Sequence, residues 1–327
     1  MSFAVRRAAA AGVVLLTLSA IVFALEDISP GDPARAYLGG NASPAAVAAE
    51  RRTLRLDDPL IARFGHFLSG IFHGSLGVSY RTHRPVTSDL AAFLPASIEL
   101  VLVAFLLAIA LGGTYAVTAA LRLPGSGLLR GLLLTAATAP PFLLALGGII
   151  VFYADLGWLP ASGRGPQQET QSGFTIVDAV LHAAPGQLVT ALRYALMPAL
   201  VLSIAPAIAV GRVLRSSLEQ TLRADHVRTA RSKGLAERAV LFRHVLRNSL
   251  GPALSMAGLQ LGFMFGGVVI VEQIFSWPGI GNYLAESLPV SDFSAIAGVT
   301  LVLGAVYVLA NAVVDVLQAL ADPRITL

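Results

Sequence analysis

Six stretches of the chain carry no Asp, Glu, Lys, Arg or His and are apolar throughout: 8–25, 100–121, 131–154, 194–211, 249–271 and 294–314. About 20 apolar residues in a helix cover about 30 Å of hydrocarbon, so each stretch predicts a transmembrane helix. Polar positions gather between them in two long intervals, 26–99 and 212–248. Arg6 and Arg7 before the first stretch also fit the start of a secretory signal. Its 18 residues exceed the usual signal core, and five further stretches would prevent export, so it reads as a retained anchor. The pattern predicts an all-α, polytopic membrane protein with six transmembrane helices.

Charge orients the spans, because short cytoplasmic connections hold the excess of Arg and Lys. Nine basic residues lie between Arg212 and Arg247, and Arg122 and Arg130 stand without an acid between the second and third spans. On the alternate side, 272–293 has three acids and no base, and 155–193 has three acids and two bases. Both termini are therefore expected in the cytoplasm. The interval 26–99 is long enough that its arginines do not count against this. Composition agrees: 55% of residues are hydrophobic, 13% are charged and mean hydropathy is +0.73, which excludes a soluble globule or a disordered chain. A net charge of +4, with one lysine among the 23 basic residues, leaves no basic arm for nucleic acid. With no cysteine, no thiol chemistry or disulfide frame is available.

The chain also lacks an engine. No charge sits in the middle of a predicted span, where ion-driven transporters keep their relay, and Glu99 falls at the entrance of the second. The sole lysine, Lys233, precedes Gly234 and is not part of a phosphate-binding loop. Neither a zinc-protease motif nor a nucleophile elbow is present, so the chain is expected to catalyse nothing and to carry no cofactor or metal of its own.

Within 212–248, Leu214, Leu218 and Leu222 recur every four positions and predict that the fourth span continues as a helix beyond the membrane. Asp225 is placed to cap a short helix from His226 to Lys233, and Gly234 to end it in the left-handed conformation, with Arg231 and Lys233 at its negative end. Leu235, Ala239, Phe242 and Val245 then predict an amphipathic stretch leading into the fifth span. The bases alone fit anchoring to anionic headgroups. A short helix closed by glycine is also a shaped object that suits a partner's groove. Between the fifth and sixth spans, Trp277 reads as an interfacial aromatic and Pro278-Gly279 as a break, with Ile280, Tyr283, Leu284 and Leu288 free to lie along the bilayer or cap a pathway. A plain surface loop fits the composition equally.

The string from Arg215 to Asp225, the string Val227-Arg228-Thr229-Ala230-Arg231-Ser232-Lys233-Gly234-Leu235, and the string from Arg243 to Ser249 together resemble the coupling loop of binding-protein-dependent ABC importer permeases. The likeness is to the first permease of the dipeptide, oligopeptide and nickel branch. Arg228-Thr229-Ala230 and Gly234 stand where the wider family has Glu-Ala-Ala and its glycine, and His226 where the branch commonly has tyrosine. Pro30-Gly31-Asp32-Pro33-Ala34, Gly74-Ser75-Leu76-Gly77-Val78-Ser79, the run from Val271 to Gly281, Asn311 with Asp315, and Asp322-Pro323-Arg324-Ile325 are similar to the same branch.

The resemblance implies an anchor helix with an external segment over 1–93, a type I permease domain over 94–318 and a cytoplasmic tail over 319–327, in the cytoplasmic membrane of a bacterium. It implies as partners a second permease, two cytoplasmic ATPases that bind ATP and Mg, and an extracytoplasmic solute-binding protein. Asp225, His226, Arg228, Thr229, Ala230, Arg231, Lys233, Gly234 and Leu235 would form the part that docks on an ATPase. Glu272, Phe275, Trp277, Pro278, Gly279 and Gly281 would form an external gate that also meets the binding protein. The implied cargo is a di- or oligopeptide, with nickel or glutathione as alternatives; an ion-coupled transporter or channel is the alternative of another class.

Gly258, Gly262 and Gly266 make a small-residue stripe in the fifth span, a packing face suited to the centre of a permease pair. Gln260, Asn311 and Asp315 are candidates for the translocation path, with interhelical polar contact as the commoner role of such groups. His66 and His73 lie two turns apart, too far for one metal, and with His83 read as solvated.

Overall fold

The computed structural model describes residues 3–28, 32–39, 41–166 and 172–321. All of Asp322-Pro323-Arg324-Ile325, the Pro30-Gly31 pair and the side chain of Asp315 lie outside the described residues. Fourteen α-helices follow in order: α1 Phe3–Ile28, α2 Pro33–Leu38, α3 Pro44–Thr53, α4 Leu60–Phe72, α5 Val86–Ala120, α6 Ser126–Thr138, α7 Pro141–Gly148, α8 Thr175–Leu181, α9 Pro185–Leu222, α10 Asp225–Ser232, α11 Glu237–Ala239, α12 Arg247–Ile274, α13 Ile280–Ser287 and α14 Phe293–Ala321. Two π-helical turns, Ile149–Asp155 and Val240–Leu246, extend α7 and join α11 to α12.

Among the described residues four helices are long and apolar enough to cross a membrane: Val86–Ala120, Pro185–Leu222, the continuous run Glu237–Ile274, and Phe293–Val314. The third stretch differs from a simple span. It is a pair, Ser126–Thr138 and Pro141–Asp155, bent by 113°. Consecutive prolines at 140 and 141 cause the break, since each forces the residue before it out of helical geometry: Ala139 has ψ 138° and Pro140 ψ 142°. The pair counts as a fifth crossing if taken as one span. The apolar part of α1, Ala9–Leu25, is shorter, so by length and composition the described residues give four crossings, or five with the bent pair, of the six expected from charge-free stretches. The same charge-based count also began helices too late. α5 starts at Val86, which puts Glu99 inside the helix and buried rather than at its entrance.

α9 is the central post. In its most apolar window 67% of residues are buried, against 39% for α5 and for Glu237–Ile274 and 28% for α14. α5 crosses it closely at a point the sequence reading did not single out. A Cβ added to Gly112 would stand 2.5 Å from Ala207 O, and one on Gly211 would stand 2.9 Å from Gly112 O, so the two backbones meet where only glycine fits. Leu100, Val101 and Ala104 of α5, Met197 and Ala199 of α9, and Met264, Phe265 and Val268 of α12 fill the membrane core.

The glycine stripe of α12 proves to be internal packing. Gly258 lies under Val314 and Gly262 under Tyr307, both on α14, while nothing stands within 4 Å of a Cβ at Gly266. Two of the three glycines thus serve the contact between α12 and α14, and Gly266 faces open space.

Candidate functional site

Two clusters organise the ends of the bundle. At the first, α9 continues to Leu222 as the leucine spacing predicts, with Arg215 Nε donating to Glu219 Oε1 at 2.7 Å along its side. A two-residue turn leads into α10. Val227 and Ala230 are buried and join Leu214 and Leu218 of α9, Val240 and Val245 of the π-helical turn, and Ala253 of α12. The other face of α10 presents Asp225, His226, Arg228, Thr229, Arg231 and Lys233 to solvent. This is an amphipathic knob, with a two-residue apolar foot and a charged outer face, seated on the end of the central helix.

Its ends differ in part from expectation. Ala224 occupies the cap position and makes no side-chain cap bond; Asp225 is the first helical residue, 98% exposed, with Arg228 at 3.8 Å. A carboxylate there still favours the positive helix end, without a hydrogen bond to the backbone. Gly234 does end the helix, at φ +76°. The Leu235 amide donates back to Ala230 O at 3.4 Å and that of Gly234 to Arg231 O at 2.9 Å. No atom lies within 4 Å of a Cβ at Gly234, so the requirement for glycine there is conformational and not spatial. Arg231 reaches Glu237 with Nε at 2.9 Å and Nη2 at 3.2 Å, tying α10 to the next element.

The stretch after Gly234 departs from 3.6-residue periodicity. Leu235 and Phe242 are exposed, at 42% and 65%, whereas Val240 and Val245 are fully buried. Residues five apart face inward because the turn is π-helical, a register that a search for α-helical periodicity misses. Ser249, fully buried, places its Oγ 2.8 Å from Val245 O and 2.9 Å from Thr221 Oγ1, fastening the start of α12 to the end of α9.

The second cluster is a knot around Glu272 at the opposite end. The carboxyl group accepts from Ser97 Oγ at 2.5 Å, from the Gly281 amide at 2.7 Å and from the Asn282 amide at 3.1 Å, so a fully buried acidic side chain sits on the first amides of α13. Ser97 Oγ in turn accepts from the Ile280 amide at 2.8 Å. Any side chain on Gly279 would strike the Glu272 carboxylate, at 2.2 Å, and one on Gly281 would strike the Val269 backbone, at 2.6 Å.

Trp277 is not an interfacial aromatic. It is 1% exposed, donates from Nε1 to Ala96 O at 3.0 Å and lies under the Arg164 guanidinium at 5.8 Å. Phe275, Ile280 and Tyr283 are buried with it, and of the named gate residues Pro278 alone is exposed. Ile280 and Tyr283 therefore pack against α5 and α14, whereas Leu288 is 56% exposed. A helix pattern alone does not say which apolar neighbour a face will choose.

Several members of this end carry no motif that sequence reading could use. Glu99 pairs with Arg164 and accepts from the Ile176 amide. Asp292 accepts from Ser79 Oγ, from the Arg81 amide at 3.2 Å and from the Ala295 amide at 3.2 Å, capping α14. Asp89 accepts from Thr82 Oγ1 and, at 3.1 Å, from Tyr283 Oη. Burial, followed by the nearby charges of Asp89 and Asp292, pushes the Tyr283 hydroxyl up to about 12. Gly77, at φ +84°, and Ser79 bring the loop before α5 onto α14 and Asp292, which gives the Gly74 to Ser79 string a structural use.

Gln260 is half-buried on α12, and Asn311 donates to Tyr307 O of its own helix at 2.8 Å rather than to a neighbour. Of the histidines, His66 contacts Arg55, His73 its own helix at Ser69 O, and His83 the ring of Tyr37.

Comparison with known proteins places this architecture. Residues 108–327 match the family model described as the binding-protein-dependent transport system inner membrane component, and residues 1–101 match the model of its N-terminal part. The dipeptide transport system permease protein DppB of Alkalihalophilus pseudofirmus is 33% identical over 99% of both chains. The probable D,D-dipeptide transport system permease protein DdpB of Escherichia coli K12 is 38% identical over 96% of this chain and 95% of its own. The glutathione transport system permease protein GsiC of Salmonella typhimurium is 34% identical over 95% and 94%.

Proposed function

The chain belongs to the family of binding-protein-dependent transport system inner membrane components, and from that membership we propose that it is a permease subunit of an ATP-binding-cassette importer for di- or oligopeptides. Among the relatives above, two are named for dipeptides and one for glutathione, itself a peptide. The single observation that carries the mechanism is the α10 knob: a charged helix held by Val227 and Ala230 on the end of the most buried span, in a chain with no phosphate-binding loop.

In this reading the outer face of α10, from Asp225 to Lys233, with Gly234 and Leu235 after it, seats in a groove of a partner ATPase. Closure of two such ATPases on ATP pushes the knob, and the buried contacts to α9 and α12 carry the push into the membrane. A second permease completes the pathway, and a solute-binding protein delivers cargo from outside. The knot around Glu272 is the external gate. It holds α5, α12 and α13 together through one carboxylate, and the exposed Pro278 is its point of contact with the binding protein. Gln260, Asn311 and Asp315 are assigned to the path. α1, at 26 residues and about 39 Å, supplies the sixth crossing together with the bent pair, leaving both termini in the cytoplasm of a bacterium, with 1–93 as anchor and external segment, 94–318 as permease domain and 319–327 as tail.

The test is ATP hydrolysis by the purified complex in nanodiscs. Stimulation by di- or oligopeptides that requires the binding protein supports the proposal. Stimulation by a metal chelate and by no peptide overturns the peptide assignment, and proton-gradient-driven uptake by this chain alone overturns the importer assignment.

A further inference from the structure

A cleft of about 470 Å³ opens between α5, α6 and α9. Tyr115 and Leu134 form part of its wall, and Arg130, Arg212 and Arg215 line it against a single carboxylate, Glu219. Arg215 is committed to Glu219 at 2.7 Å. Arg130 and Arg212 are exposed, and among the described residues neither has an ion-pair or hydrogen-bond partner. Two free guanidiniums from different helices therefore face one polar hollow whose only acid is already neutralised.

The position of the cleft says what fills it. Arg212 directly follows the apolar stretch 194–211 and Arg130 directly precedes 131–154, so both stand where hydrocarbon gives way to headgroups. On α6, Leu134, four residues after Arg130 and on the same face, gives the cleft wall an apolar element, while Leu128 and Leu132, exposed at 71% and 61%, stand on the opposite face of that helix. A guanidinium binds phosphate through two parallel N–H donors and is desolvated at lower cost than an ammonium. Basic hollows between helices at the cytoplasmic border are suited to anionic headgroups. We propose that this cleft binds the phosphodiester headgroup of an anionic phospholipid of the inner leaflet, held by Arg130 and Arg212. The assignment to the inner leaflet rests on the orientation proposed above.

The test is native mass spectrometry of the delipidated full chain titrated with phosphatidylglycerol, phosphatidylcholine or inorganic phosphate. Arg130→Gln/Arg212→Gln is expected to weaken the tightest phosphatidylglycerol site about thirtyfold, from roughly fivefold per basic residue near an anionic headgroup. Arg130→Lys/Arg212→Lys, which keeps the charge and loses the paired donors, is expected to fall between the glutamine pair and wild type. The control Arg238→Gln/Arg243→Gln, two exposed arginines away from the cleft, is expected to leave that site intact. A thermal midpoint that matches wild type in lipid-free detergent, but no longer rises with phosphatidylglycerol, separates lost binding from lost folding. Equal binding of phosphatidylglycerol by wild type and the glutamine pair overturns the proposal. So does binding of inorganic phosphate with the same arginine dependence and displacement of the lipid, which makes the ligand a soluble anion, and so does equal affinity for phosphatidylcholine. Failure of the importer reading would show in the hydrolysis assay and leave this titration unchanged.

Discussion

Substituting Gly281→Ala tests whether the knot around Glu272 holds the external end as described. The new Cβ would stand 2.6 Å from Val269 Cα and 2.8 Å from Glu272 Oε2. The first is backbone inside α12, so no rotamer relieves it, and overpacking of this kind costs about 1 to 3 kcal/mol. If α13 retreats to make room, the Gly281 amide leaves the carboxylate. Leaving a buried acceptor short of one of its donors costs about 1 to 3 kcal/mol. Either route destabilises this end of the bundle by about 1 to 3 kcal/mol. The measurement is thermal unfolding read from Trp277 in a Trp158→Phe background, feasible because the chain has two tryptophans and Trp158 is 60% exposed. We expect a lower midpoint, red-shifted Trp277 emission and reduced uptake by the assembled complex. Gly266→Ala is the control: it lies in α12, three residues before the Val269 that Gly281 approaches, and its Cβ meets nothing within 4 Å, and removing a mid-helix glycine is expected to be neutral or stabilising by up to about 1 kcal/mol. Equal midpoints for Gly281→Ala and Gly266→Ala, with unshifted emission, would refute the reasoning.

Gly234→Pro cannot adopt φ +76° and removes the amide bonded to Arg231 O; membrane insertion is expected to be normal while ATP-driven uptake is lost, and uptake at wild-type level would sink the docking assignment. Gly112→Ala should lower the unfolding midpoint by an amount corresponding to about 1 to 3 kcal/mol, because its Cβ lies 2.5 Å from a backbone oxygen of α9. The adjacent Gly113→Ala meets nothing, and equal effects at the two positions would contradict the close crossing. Tyr283 has its pKa raised from the ordinary 10 to about 12, so the folded state keeps a proton that the unfolded state releases. Stability from this group is complete below pH 10 and declines as pH rises toward 12. Tyr283→Phe should flatten the decline in that window, as measured by unfolding at a series of pH values.

The helical class, the long polar interval after α9, the helix ending at Gly234 and the family were legible from the sequence because each has a local signal: an apolar run, a four-residue leucine repeat, a glycine after a basic turn. What escaped depended on contacts between distant residues. Glu272 was marked as part of a gate, but nothing local says that its carboxylate meets Ser97, 175 positions away. Trp277 looked interfacial because amphipathic aromatics often are, and burial against Ala96 is settled only by packing. The inward pair Val240 and Val245 was hidden by a π-helical register, and the crossing at Gly112 and Gly211 by the distance between its members. Charge-free stretches also undercount helix length, since Glu99 and Asp89 sit inside α5 once partners neutralise or hydrogen-bond them.

The length of α9 has a mechanical consequence. Its 38 residues span about 57 Å, so rotation by one degree about one end displaces the other by about 1 Å. Because α10 is footed on one end of that rod and α5 grips it at Gly211, a small tilt applied at α10 reaches the other end enlarged to atomic dimensions. The stroke needed at α10 is therefore short, comparable to the settling of a side chain rather than the sliding of a domain.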